Sequence, residues 1–216
     1  MKLTLYTVNK NTNLDWLEQC LVAINAQTYK NFNYLFLDYG SDNFQKVHKL
    51  VTSKLNNINY ELRSIDPIVG FNFIDAIKYC MTKLEYDYIM RVDADDILAN
   101  QGLEKLVENL YNEDLVHGNY YFINDDNQMI EGNSHDKIMP AHSLISKNII
   151  KNIKWLQGQE FRDGVNLQEA INKGNYNIKK IEDHVFYYRK HSNSLTSDKE
   201  KINYTDNVIK KNLNKK

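Results

Sequence analysis

Cysteine, proline and long apolar runs are scarce in this chain of 216 residues, which contains two cysteines and two prolines. Cys20 and Cys80 lie far apart in apolar, helix-like segments, a pattern typical of reduced cysteines packed in a core. This pattern excludes a disulfide framework and a cysteine-rich metal site. No apolar run approaches ~18 residues, the length that crosses a membrane, and the amino terminus has no secretory pattern. We therefore expect a cytoplasmic protein.

An excess of positive charge is also missing, since 27 basic residues stand against 28 acidic ones. This balance excludes a nucleic-acid partner that is held by a basic surface. The length suffices for one large domain with its own core, to which we assign residues 1–198. The lysine-rich tail, 199–216, is expected to be a solvated terminal helix or a frayed end. Weak contact of this tail with an anionic membrane surface is the alternative.

Short apolar runs alternate with amphipathic stretches in the first half of the chain. The runs predict strands at 3–8, 32–37, 58–62 and 86–92. Helical patterns lie between them, and the first helix is predicted to begin with a capping box formed by Thr12 and Asp15. Strands joined by helices in this way form a mostly parallel sheet covered on both faces. We therefore predict an α/β fold with an elaborated second half.

The predicted strands end in polar residues that can carry chemistry. Asn9, Asp38 and the cluster of Asp93, Asp95 and Asp96 all follow apolar runs, and ligands of parallel sheets bind beyond such strand ends. Neighbouring carboxylates raise one another's pKa unless a cation neutralises them, and an oxygen-rich cluster suits Mg²⁺ or Mn²⁺. In an extended backbone Asp93 and Asp95 point to the same side. The alternative is an acidic turn that caps the next helix.

Five segments carry a resemblance to one family: Tyr-Thr-Val-Asn at 6–9, Gln-Thr-Tyr at 27–29, Leu-Asp-Tyr-Gly-Ser-Asp at 37–42, Asp-Ala-Asp-Asp at 93–96, and Tyr-Tyr-Arg-Lys-His-x-x-Ser at 187–194. In order and spacing they resemble family-2 glycosyltransferases of the GT-A fold. The resemblance implies a Rossmann-like, mostly parallel sheet and a divalent cation, Mn²⁺ or Mg²⁺, at the Asp-x-Asp motif. It also implies inverting transfer of a sugar from a nucleotide-diphosphate donor, a UDP-sugar foremost, to a glycan or lipid-linked acceptor.

The resemblance further implies that residues 1–98 bind the nucleotide and residues 99–198 bind the acceptor. The residues implied in nucleotide binding are Thr7, Asn9, Asp38, Asp93 and Arg189. The implied metal ligands are Asp95, Asp93 and His191. The implied catalytic base is Asp163, with Glu160 in reserve. From the residues alone, Asp38 and Asn9 also fit turn formers, and Arg189 also fits a salt bridge.

Five positions depart from the family pattern. Tyr39 replaces the second Asp of the nucleotide turn, and Val8 replaces an aromatic residue in the first motif. Ile74 and Asp75 stand where Arg and Asn are usual, and Arg162 stands where Glu normally precedes the base. These departures leave a non-catalytic nucleotide-sugar binding module as an alternative. A metal-dependent nucleotidyltransferase fits less well, because 7–12 lacks the expected glycine-rich, basic phosphate loop.

Overall fold

The structure is a computed structural model that describes residues 1–65, 71–133, 138–156 and 162–192, together with residues 203, 206 and 207. Glu160 and nearly all of the tail lie outside the described residues. The elements, in chain order, are β1 (Leu3–Asn9), α1 (Leu14–Asn25), β2 (Asn33–Asp38), α2 (Phe44–Lys54), β3 (Asn59–Ser64), α3 (Phe73–Lys83), β4 (Tyr88–Arg91), β5 (Ile97–Leu98), α4 (Gly102–Glu108), β6 (Leu115–Ile123), β7 (Met129–Asn133), β8 (Leu144–Ser146), α5 (Lys147–Lys151), α6 (Asp163–Lys173) and β9 (Ile178–Arg189).

One sheet takes up all of these strands, in the order β3-β2-β1-β4-β8-β6-β9-β5, with β7 paired to β6. The first four strands run parallel to one another. Because β8 is antiparallel to both β4 and β6, and β9 is parallel to β6, strands β6 and β9 run in the same direction as the first four. The predicted mostly parallel sheet is confirmed.

Helices cover both faces of this sheet. Leu17 of α1, Val47 of α2 and Leu103 of α4 are buried in one apolar cluster with the inner strands. Ile74 and Ile77 of α3 belong to a separate cluster on the other side. Burial of one apolar stripe per helix supplies the main driving force for this layering. Among the helices of the described residues, none is long and apolar enough to cross a membrane.

The starts of α1 and α3 are both capped by side chains, and neither cap is the one that the sequence analysis predicted. The capping box expected at Thr12 is wrong: Asn13 is the N-cap of α1, and its side-chain oxygen accepts from the amide of Asp15 at 2.8 Å. A true capping box lies instead at α3, where Asn72 and Asp75 each accept a backbone N–H of the other. The departure from the family pattern at 74–75 therefore has a structural role, because Ile74 fills the core and Asp75 caps the helix.

Candidate active site

The carboxyl ends of β1 and β2 meet in a network built around Asp38, which is only 1% exposed. Its Oδ2 accepts from Asn9 Nδ2 at 2.7 Å and from Ser41 Oγ at 2.6 Å. Its Oδ1 accepts from the backbone amides of Gly40 at 3.1 Å and Ser41 at 2.8 Å. The structure thus brings Asn9 and Asp38 together, with the Asp38 carboxylate shaping the turn that follows β2.

Thr7 lies on β1 two residues before Asn9. Its side chain is fully buried, and its hydroxyl donates to the carbonyl oxygen of Val92 at 2.8 Å. This bond joins β1 to the segment that leads into the acidic cluster. Thr7 therefore holds the two strand ends in register from within the core.

The three carboxylates after Val92 point in different directions. Asp96 turns inward, where its Oδ1 accepts from the backbone amide of Arg189 at 2.8 Å and its Oδ2 lies 3.1 Å from His142 Nε2. Burial, reinforced by Asp95 and Asp93, raises the pKa of Asp96 well above its usual value. Burial lowers the pKa of His142, which is therefore neutral and stacks on the ring of Phe186. Asp96 is thus a structural group that links the acidic loop, residues 93–96 after β4, to β9.

Asp95 turns toward the end of β9. Its Oδ2 lies 2.9 Å from Nε2 of His191, and the imidazole packs at 4.7 Å between ring centroids against Trp16. The buried Nδ1 of His191 has no hydrogen-bond partner among the described residues. One carboxylate and one imidazole side by side are donors that Mn²⁺ accepts. Two of the three predicted metal ligands are thus in contact.

Asp93, the third predicted ligand, faces Arg91 instead. Arg91 Nε lies 2.7 Å from Asp93 Oδ1, and Arg91 Nη1 donates to Asp163 Oδ2 at 2.6 Å. The guanidinium is 7% exposed and lies over the ring of Phe73. Burial, together with Asp95 and Asp163, raises the pKa of Asp93 to about 6 although Arg91 opposes the shift. Arg91 therefore joins the Asp-x-Asp motif to the predicted base.

Arg91 contacts two predicted site residues, and the sequence analysis did not name it. A signal for it existed, because a charge inside an otherwise apolar strand must find buried partners. Asp163, 72 residues further along, opens helix α6, where the positive end of the helix dipole stabilises negative charge. Its neighbour Arg162 adopts a left-handed backbone, φ 70°, and pairs with Asp206. The structure therefore joins Asp163 to the acidic motif and gives Arg162 a partner in the tail.

Arg189, predicted to bind nucleotide, is buried among groups of its own chain. Its guanidinium donates to the backbone oxygens of Asp95 and Asn124, each at 2.9 Å, and to Gln19 Oε1 at 2.7 Å. The same guanidinium lies over the ring of Trp16. Nucleotide binding by Arg189 stays a prediction, and its visible contacts hold the acidic loop. Within the described ranges, no three His, Cys, Asp or Glu side chains are grouped closely enough to hold a metal ion.

Known sequences and structures match this chain over most of its length. Among curated proteins, it is 22% identical over 224 residues to "Glycosyltransferase GlyG" of Streptococcus pneumoniae serotype 4, covering 90% of this chain and 73% of that protein. It is 27% identical over 113 residues to the teichoic acid poly(glycerol phosphate) polymerase of Staphylococcus epidermidis, covering 52% of this chain and 15% of that protein.

Two solved structures show the same fold. The S. aureus TarS 1-349 complex with UDP-GlcNAc superposes with a TM-score of 0.73 at 15% identity, covering 97% of this chain and 66% of that one. The mannosyltransferase PcManGT of Pyrobaculum calidifontis, in complex with GDP-Man and Mn²⁺, gives a TM-score of 0.65 at 12% identity, covering 87% of this chain and 56% of that one. The sequence model described as Glycosyl transferase family 2 matches residues 5–209. The resemblance and the GT-A fold inferred from the five motifs are confirmed, and the chain belongs to glycosyltransferase family 2.

Proposed function

We propose that this chain is an inverting glycosyltransferase that moves a sugar from a nucleotide-diphosphate donor, a UDP-sugar, to an acceptor hydroxyl. The observation that carries the proposal is the Arg91 guanidinium, which contacts both Asp93 and Asp163. A base from α6 and the Asp-x-Asp motif after β4 therefore share one site at the carboxyl edge of the sheet, where ligands of α/β folds bind. The complexes of TarS with UDP-GlcNAc and UDP support the choice of a UDP-sugar donor.

Asp163 is the proposed general base. Its carboxylate takes the proton of the acceptor hydroxyl while that oxygen forms a bond to the anomeric carbon of the sugar. The bond from the anomeric carbon to the diphosphate oxygen breaks, and its electron pair leaves with the nucleoside diphosphate. Attack from the face opposite the leaving group inverts the anomeric centre. A positioned base of this kind contributes about 10²–10⁴-fold to the rate.

Asp95 and His191, with Asp93, are the residues proposed to hold Mn²⁺ or Mg²⁺. The 2.9 Å contact between Asp95 Oδ2 and His191 Nε2 supports this assignment. A bound divalent cation would offset the negative charge that builds up on the leaving diphosphate. Mn²⁺ in the PcManGT complex supports the same choice of ion.

We also propose that residues 1–98 bind the nucleotide, with Thr7, Asn9 and Asp38 shaping that end of the site, and that 99–198 bind the acceptor. A glycan or lipid-linked hydroxyl is the proposed acceptor, which the match to a teichoic acid polymerase supports. The proposed location is the cytoplasm, with weak membrane contact through the tail as the alternative.

The test is sugar transfer or donor hydrolysis from a panel of nucleotide sugars with Mn²⁺, comparing wild type with Asp163→Asn and Asp95→Ala. We expect Asp163→Asn to lose about 10²–10⁴-fold in transfer while still binding the donor, and the product anomer to be inverted in its proton NMR spectrum. Asp126→Asn, an exposed carboxylate of the β6–β7 turn, is the control. Near-normal turnover by Asp163→Asn would remove that residue from the proposal.

Two outcomes would favour the alternatives. Donor binding without any release of nucleoside diphosphate would indicate a non-catalytic binding module. Release of sugar 1-phosphate from the nucleotide sugar would indicate attack at phosphorus and a nucleotidyltransferase.

A further inference from the structure

The Asp38 carboxylate has no free hydrogen-bonding capacity for a ligand. A carboxylate offers about four lone-pair positions, and Asp38 already accepts four hydrogen bonds, from Asn9, from the amide of Gly40, and from the amide and hydroxyl of Ser41. The group is also almost fully buried. Asp38 therefore leaves no free acceptor for a nucleobase that reaches this end of the sheet.

Tyr39, the next residue along, is placed to contact such a nucleobase. Its amide donates to the carbonyl oxygen of Asn9 at 3.0 Å, which fixes it at the junction of β1 and β2. Its ring is partly buried and lies 6.2 Å from the ring of Phe71, at an angle of 53°. The exposed Lys10 places its ammonium 5.6 Å from the Tyr39 ring centroid, so a flexible side chain from solvent reaches this ring.

The Tyr39 side chain is a neutral aromatic group. Burial, followed by the charges of Asp38 and Asp93, raises its pKa to about 12. Val8, which stands where the family pattern has an aromatic residue, is buried in the core and presents no ring. The aromatic side chain missing from the end of β1 is thus present on the neighbouring strand end.

We propose that the Tyr39 ring is the surface on which the nucleobase of the donor stacks, and that Asp38 is a positioning residue that holds the turn carrying Tyr39. The inference rests on the proposed function, because it names how that same site takes its nucleotide. Stacking needs only a π-face, which every base has, so Tyr39 supplies affinity for the nucleoside without selecting the base. Lys10 moves off the ring when the base enters.

The experiment separates the base from the diphosphate. Calorimetry measures the binding of UDP, GDP, CDP, ADP and inorganic pyrophosphate, each with Mn²⁺, to the full chain and to Tyr39→Leu and Tyr39→Phe. Leucine keeps an apolar group in the partly buried position but has no aromatic face. Tyr111→Leu, at a tyrosine that is 77% exposed on the surface, is the matched control.

We expect Tyr39→Leu to weaken the tightest nucleotide by about 5- to 150-fold, and Tyr39→Phe by less than about twofold, since base stacking on an aromatic ring has this magnitude. Pyrophosphate should bind equally to all variants. Equal nucleotide affinity of the Leu and Phe variants would overturn the inference, and so would an equal loss for pyrophosphate, which would indicate a structural role. Wild type that binds pyrophosphate but no nucleotide would overturn the proposed function as well.

A spectroscopic readout tests contact directly. In Tyr39→Trp the ring is kept, and a stacked base should quench its fluorescence beyond the change seen in wild type, which contains Trp16 and Trp155. Quenching by the nucleotide and not by pyrophosphate is the expected result. Stacking would be contradicted if saturating nucleotide changed the fluorescence of Tyr39→Trp no more than that of wild type.

Discussion

Replacing Arg91 tests the contact on which the candidate site depends. Arg91→Met keeps much of the side-chain length but removes the cation that lies between Asp93 and Asp163. Arg91→Lys keeps the charge but loses the planar fork that reaches two carboxylates at once. The two variants therefore separate loss of charge from loss of geometry.

The magnitude follows from how buried each partner is. The side chain of Asp163 is 10% exposed and that of Asp93 is 24% exposed. Removing one member of a buried ion pair costs about 3–5 kcal/mol, and the contribution from the more exposed Asp93 is reduced by solvent. We expect Arg91→Met to lower the free energy of unfolding by about 3–5 kcal/mol, and Arg91→Lys by about 1.5–3 kcal/mol for one lost charged hydrogen bond.

The same variants should lose activity more than stability explains. Without the contact at 2.6 Å, the Asp163 carboxylate is free to turn away from the acceptor, and misplacement of a reacting group by about 1 Å can lower the rate ~10²-fold. The effect should fall on kcat through Asp163 and on the donor KM through Asp93, which loses the same cation, with partial recovery of both in Arg91→Lys.

Urea unfolding and initial-rate transfer assays at a temperature where all variants are folded check both expectations. Arg63→Met is the matched control, because Arg63 pairs with Glu61 near the surface and such pairs contribute about 0–1 kcal/mol. Arg91→Met with an unfolding free energy within about 0.5 kcal/mol of wild type and with full transfer activity would refute the reasoning.

Three further changes have expected outcomes. Gly102→Ala should destabilise by about 1–3 kcal/mol in thermal unfolding, despite the better helix propensity of alanine, because its methyl group would lie 2.4 Å from the backbone oxygen of Val185; an unchanged midpoint would contradict this. Asp96→Ala should destabilise by about 2–5 kcal/mol, because it leaves the amide of Arg189 and the ring of His142 without their acceptor; a wild-type urea midpoint would argue against it. Chelation of divalent cations should abolish transfer, and Mn²⁺ should restore it; full activity in excess chelator would exclude the proposed metal.

The sequence analysis anticipated which strand ends meet. Because carboxyl ends of parallel strands share one edge, apolar runs followed by Asn9, Asp38 and Asp93 were enough to predict their proximity. The register of β1 with β2, which pairs Asn9 with Asp38, confirms it for these two residues. The position of Asp93 relative to them stays a prediction. The fold class was also predictable, because hydrophobic periodicity is a local property that can be read directly from the sequence.

Contacts between distant segments were beyond such patterns. The bond between Arg91 and Asp163 joins residues 72 positions apart, and no local spacing encodes it. Arg189 illustrates the same limit, since its motif indicates a ligand contact while its guanidinium is surrounded by three groups of its own chain. The cap of α1 was missed for a smaller reason: Thr12 and Asn13 are both good N-caps, and propensity alone does not choose between neighbours.

Arg189 is the final residue of β9, yet its guanidinium donates a hydrogen bond to the backbone of the loop that follows β4. During synthesis on a ribosome, the first four strands of the nascent chain are made long before this hydrogen bond can form. Until residue 189 has left the exit tunnel, the loop lacks the bonds from the Arg189 amide to Asp96 and from its guanidinium to the Asp95 carbonyl oxygen. The segment that carries the Asp-x-Asp motif therefore completes its set of contacts only after β9 has been made.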